Sequence, residues 1–168
     1  MLALVQRLLA LALSILLCGC GGGGGGSPSR VVPRFAGSDV TVAAAAGQGA
    51  LEIALLGDAP LPVLAQVDLL FDAGSLVFAA PTAIAAVADL DGRLVAPGRY
   101  RLVVGDASSK AGDPLPTGKL LRLPFSLGPA VHSGSVLVIT FDASRGAAAA
   151  GVLADTETAP GALRITVR

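Results

Sequence analysis

Two cysteines, one histidine and a few aspartates are the residues of this 168-residue sequence with chemistry to offer. Cys18 and Cys20 stand near the amino terminus, and the rest of the chain holds no thiol for a disulfide, a metal or a nucleophile. His132, the only histidine, sits in Val131-His132-Ser133-Gly134. With no cysteine and no second histidine in the body it cannot build a zinc site, and it reads as a solvated turn residue. Ser133 lacks the G-x-S-x-G setting of an activated nucleophile. Asp89-x-Asp91-Gly92 begins like a calcium loop, but the fifth position is Arg93 and the twelfth is Tyr100, so it fails the EF-hand pattern and reads as a turn. Glycoside hydrolysis needs two carboxylates across one cleft. The only glutamates are Glu52 and Glu157, while Asp58, Asp72, Asp106, Asp113 and Asp142 fall at expected strand ends, where aspartate favours turns. The residues therefore predict a non-catalytic protein with no metal and no cofactor.

The cysteines belong to a leader. Arg7 precedes an apolar run over residues 8–17, about ten residues long. That suits an export signal and falls short of the roughly 20 needed to span a bilayer. The run ends at Leu17-Cys18-Gly19-Cys20, which resembles the bacterial lipobox, with a leucine three before the modified cysteine and small residues between. Cys20 fits that pattern better than Cys18, which follows bulky Leu17. The resemblance implies cleavage before Cys20, lipidation there, and a lipid bilayer as one partner; an ordinary export signal or an uncleaved anchor is the alternative. Two or more acyl chains anchor durably where one does not. Residues 21–29, six glycines followed by Ser27-Pro28-Ser29, make a flexible uncharged tether with a mean reach of about 17 Å. Gly21 is not the aspartate associated with inner-membrane retention, which points to the outer membrane. The expected organisation is a signal over residues 1–19, a lipidated cysteine and tether over 20–37, and one domain over 38–168.

Composition narrows the domain. The sequence is 53% hydrophobic but only 4% aromatic, with 22 glycines and 11 prolines. About 130 residues suffice for one core and not for two. Without Arg7 the chain holds 11 basic and 12 acidic residues, so no electrostatic footprint for nucleic acid exists.

From residue 38 onward the apolar pattern has period two, not 3.6. Val40 and Val42 alternate, then Leu51, Ile53 and Leu55. Over residues 63–78, Ala65, Val67, Leu69 and Phe71 share one face and Leu64, Gln66, Asp68 and Leu70 the other, before an Asp72-Ala73-Gly74 turn leads to Leu76 and Phe78. Residues 81–98 read as a short strand flanked by loops. Tyr100, Leu102 and Val104 alternate, as do Leu121, Leu123, Phe125 and Leu127, with Pro124 arguing for an edge or a bulge. Leu137, Ile139 and Phe141 form the next set, residues 145–160 read as a long loop with room for one helical turn, and Leu163, Ile165 and Val167 close the chain. Seven to nine short strands without a long amphipathic helix predict an all-β fold, an antiparallel β-sandwich of jelly-roll or immunoglobulin-like topology. Phe71, Phe78, Phe125, Phe141 and Tyr100 phase inward and Phe35 falls in the tether, so stacking against sugars is poorly supplied.

The stretch over residues 67–78, an alternating apolar strand, an aromatic-Asp turn and Leu-x-Phe, resembles cohesin domains. So does the succession of residues 100–106, a polar loop over 107–117, and Gly118-Lys119-Leu120-Leu121-Arg122-Leu123-Pro124-Phe125. The family's proline after the turn aspartate is Ala73 here. The resemblance implies a nine-stranded sandwich that binds a dockerin-like protein, or a relative of carbohydrate-binding modules. It places recognition on the outward positions Leu64, Gln66, Asp68 and Leu70. The expectation is a membrane-anchored, non-catalytic docking lipoprotein. Polysaccharide binding and a structural role in an envelope or secretion assembly are the alternatives.

Overall fold

The computed structural model describes residues 31–58, 60–106, 113–148, 153–159 and 161–168, and there the chain is an all-β sandwich. Its first sheet holds β1 (Arg34–Gly37), β3 (Gln48–Leu56), β5 (Leu76–Phe78), β6 (Thr82–Ala83), β9 (Gly118–Leu127) and β12 (Glu157–Thr158). The strand order is β12-β1-β3-β9-β5, with β6 also against β9. The second holds β2 (Val40–Val42), β4 (Leu64–Leu70), β7 (Val87–Ala96), β8 (Arg99–Asp106), β10 (Val136–Ala147), β11 (Leu153–Ala154) and β13 (Ala162–Val167). Its order is β2-β13-β10-β4-β8-β7, with β11 also against β10. The pairs are antiparallel except β1 with β12 and β2 with β13.

Period-two alternation builds the core. Leu51, Ile53 and Leu55 of β3 and Leu121, Leu123 and Phe125 of β9 face Val67 and Leu69 of β4, Leu102 and Val104 of β8, Ile139 of β10 and Ile165 of β13, nearly all with no exposed surface. Each such side chain stabilises the fold by about 1.5–3 kcal/mol, so the domain holds together without a covalent link. The carboxy terminus is paired into the sheet, with Arg168 N–H donating to the Val42 carbonyl at 2.9 Å.

Four details differ from the sequence reading. The sandwich begins before residue 38: β1 pairs with β3, and Phe35, expected in the tether, is completely buried in the core. A four-residue strand contributes one large inward side chain, too few to show a period. Second, residues 89–92 are not a turn. Asp89, Leu90, Asp91 and Gly92 lie inside the ten-residue strand β7, which runs on to the turn that Pro97-Gly98 marks in the sequence. Gly98 is obligatory there, since its φ is +72° and a side chain would strike the Phe71 carbonyl. Third, the described part of residues 145–160 supplies the end of β10 and the short strands β11 and β12; the described residues hold thirteen strand segments, of which seven run six residues or longer. Finally, Pro124 stands at neither an outer edge nor a bulge. Its carbonyl accepts from Ala79 N–H at 3.0 Å, between the β5 and β6 pairings of β9, so the missing donor falls in the gap separating those two short strands.

Candidate protein-docking face

The outer face of the second sheet is assembled by register. On β4 the outward residues are Leu64, Gln66, Asp68 and Leu70, and across from them on β8 stand Gly105, Val103, Arg101 and Arg99. On the other flank β10 places Ala147 beside Leu64, Arg145 beside Gln66 and Thr140 beside Leu70. Between Phe141 and Ser144 the register shifts, so two residues, Asp142 and Ala143, oppose Asp68. The bulge turns the Asp142 carboxylate toward the face.

Asp68 is the centre of this face and is itself shut from solvent, at 0% exposure. Arg101 grips it at two points, Nε donating to Oδ1 at 2.8 Å and Nη2 to Oδ2 at 2.8 Å. Arg99 donates from Nε to Oδ2 at 2.8 Å and reaches the same oxygen with Nη2 at 2.7 Å. The Arg99 Nη2 also lies 2.9 Å from Asp142 Oδ2. Hydrogen bonds from Arg101, and then Arg99, hold the Asp68 carboxyl below its ordinary value against the opposing effect of burial. The pairing in turn raises Arg101. Both arginine side chains stay about a third exposed and form the lid over the carboxylate.

The face thus reads, along the strands, as apolar, ionic and apolar. Leu64 is 43% exposed at one end, while Val136 and Val138 are 54% and 48% exposed at the other, beyond Leu70. Of the four positions expected to carry recognition, the structure brings all onto one face: Leu64 is open, Gln66 and Leu70 are half-buried, and Asp68 acts from beneath. Arg99 and Arg101 were not singled out by the sequence reading, and Asp142, expected at a strand end, lies inside β10 at its bulge. The alternation of Tyr100, Leu102 and Val104 already turns Arg99 and Arg101 outward, and the missing information was which strand lies beside them.

The remaining candidates separate from this face. His132 is exposed in its turn and its Nδ1 lies 3.3 Å from the Ala130 carbonyl. Among the described residues no group of three or more His, Cys, Asp or Glu side chains converges, and no helix is long and apolar enough to cross a membrane. Cys20 lies outside the described residues. A groove of about 490 Å³ opens beside the Pro97-Gly98 turn, floored by Phe71, Phe78 and Tyr100 and walled by Val77 and Leu94. Its rings meet edge to face or tilted, at 79° for Phe71 with Phe78 and 55° for Phe78 with Tyr100, so they form no flat platform. The Tyr100 hydroxyl donates to the Ala79 carbonyl at 2.9 Å, and burial, with the Asp91 charge, pushes the phenol above its ordinary value.

No protein-family model and no curated protein matches this sequence. Solved structures do match, cohesins among them. The sixth cohesin of scaffoldin B from Acetivibrio cellulolyticus, solved in complex with a Cel5 dockerin, superposes with a TM-score of 0.67 at 12% identity, covering 82% of this chain and 99% of that one. The CaCohA2 cohesin from Clostridium acetobutylicum, in complex with a dockerin, gives a TM-score of 0.67 at 16% identity over 82% and 100%. A cohesin module of a family 33 glycoside hydrolase from Clostridium perfringens gives 0.59 at 17% identity over 82% and 99%. The chain therefore carries a cohesin-like β-sandwich.

Proposed function

We propose that this chain is a non-catalytic docking module whose β10-β4-β8-β7 outer face binds a dockerin-like protein. The observation that carries the reading is the face itself, a fixed ionic cluster between two exposed apolar ends. Apolar ends supply the area that association removes from water, and charges locked in one geometry orient the partner without a further ordering cost. The cohesins of similar fold were solved bound to dockerins, which makes a dockerin module the natural first probe. A polysaccharide gains little support from the edge-on rings of the aromatic groove.

The module works at a membrane in this reading. The lipobox-like sequence ending at Cys20 and the glycine tether support a lipid anchor, with the outer membrane as its place. The first strand starts at Arg34, so the tether would keep the docking face within a few tens of ångströms of the bilayer, from about 5–6 Å per root residue.

The test is a calorimetric titration of the protein with dockerin modules and, in parallel, a glycan array. Dockerin binding that falls at least tenfold in Val138→Arg supports the docking face. Glycan binding with no dockerin signal would overturn it in favour of a carbohydrate module. Cys20→Ser tests the anchor separately, since the variant should leave the membrane fraction.

A further inference from the structure

At the Leu64 end of the outer face, β4, β8 and β10 leave a shallow pocket of about 200 Å³. Its walls include Leu64, Gln66, Val103, Arg145 and Ala147. The register explains it. Leu64 is flanked by Gly105 on one side and Ala147 on the other, so the neighbours that would fill the face there carry almost no side chain. A Cβ at Gly105 would meet Asp89 Cβ at 2.9 Å and Leu64 Cδ1 at 3.3 Å, so Leu64 and Asp89 lean over that glycine from its two sides, with Asp89 on the side away from Arg145.

The pocket is smaller than the roughly 300–1,000 Å³ that holds a whole small ligand. It is of the size that anchors one side chain of a protein partner. Its chemistry narrows the choice further. Leu64, Val103 and Ala147 are apolar, while Arg145 in the wall makes no ion pair among the described residues. A purely apolar occupant would strip water from that guanidinium without replacing it, and a basic one would be repelled. A carboxylate beside an apolar group satisfies both parts, by a charge-assisted hydrogen bond to Arg145.

Resting on the docking reading above, we infer that this pocket takes one aliphatic side chain of the partner, with a partner carboxylate next to it on Arg145. The pocket is the specificity-determining end of the face, and the Asp68 cluster its fixed centre.

Three capped dipeptides test this: acetyl-Asp-Leu-amide, acetyl-Lys-Leu-amide and acetyl-Asp-Ala-amide, each titrated into the isotope-labelled full chain while amide chemical shifts are followed. Acetyl-Asp-Leu-amide should shift the amides of Gln66, Val103 and Ala147 saturably, and the other two should bind about tenfold more weakly. Ala147→Leu, which fills the pocket from an outward position, should abolish the shifts. Arg145→Gln should bring the Asp and Lys dipeptides to equal strength. Undisturbed amides elsewhere in the sheet show that both variants are folded. Equal binding of the Asp and Lys dipeptides to the unmodified chain, or shifts confined to another surface, would overturn the inference, as would no shift at all. Failure of the docking reading looks different. A dockerin module that binds the Ala147→Leu variant as well as the parent keeps the docking face and removes the pocket. Dipeptide selectivity in a chain that binds no protein keeps the pocket and removes the docking role.

Discussion

Asp68 shows how one residue can organise a surface without touching the solvent. Its carboxylate is fully buried, yet four contacts from Arg99 and Arg101 make its ionised form the favoured one. Removing it and removing its partners are therefore different changes. Asp68→Asn leaves guanidinium groups that can turn to water, and should cost about 1–3 kcal/mol at neutral pH, read by denaturant unfolding. Replacing both arginines takes away the lid along with the counter-ions, so the carboxylate regains water, and the cost is the four lost contacts rather than a stranded buried charge. The pH dependence has a definite sign. The folded carboxyl lies below its unfolded value of about 3.9, so its stabilisation is complete above that value and is lost as pH falls through the lower folded value. The gap in stability between the parent and Asp68→Asn should be constant near neutrality and close in strong acid. A gap that widens on acidification would contradict the assignment.

Among the elements, β1 carries the sharpest consequence. Phe35 is fully buried, and β1 bridges β3 and β12. Phe35→Ala should cost about 3–5 kcal/mol, and a chain starting at residue 38 should unfold less cooperatively than one starting at residue 31. The β7–β8 hairpin makes a second test. Gly98→Ala should destabilise by on the order of 1–3 kcal/mol, because the residue must hold a positive φ against the Phe71 carbonyl. These elements also mark how far the sequence was legible. The strands over residues 51–55, 64–71, 121–127 and 163–167 declare themselves because alternation is a local property of each. The inward set Ala65, Val67 and Leu69 and the outward set Leu64, Gln66, Asp68 and Leu70 follow directly from it. β1 and the mid-strand position of Asp89 and Asp91 do not, since one is too short for a period and the other resembles a turn. The Asp68 cluster was beyond local reading. It depends on β8 lying beside β4 and on a bulge in β10 that brings in Asp142, both facts of long-range pairing.

At the scale of the whole molecule, two surfaces compete for a role. One is the ionic and apolar outer face of β10-β4-β8-β7; the other is the aromatic groove between the edge strands β5 and β7. The cohesin-like sandwich offers both, but only the face combines exposed apolar ends with charges already locked in place. The edge of a groove floored by Phe71, Phe78 and Tyr100 is stabilised as part of the core whether or not anything binds. The deciding measurement is the amide chemical-shift map of the labelled protein on addition of a dockerin module that binds it. The shifts should centre on Leu64, Gln66, Asp68 and Leu70 and continue to Arg99, Arg101 and Arg145. A map centred instead on Val77, Leu94 and Gly98, with the outer face silent, would contradict it.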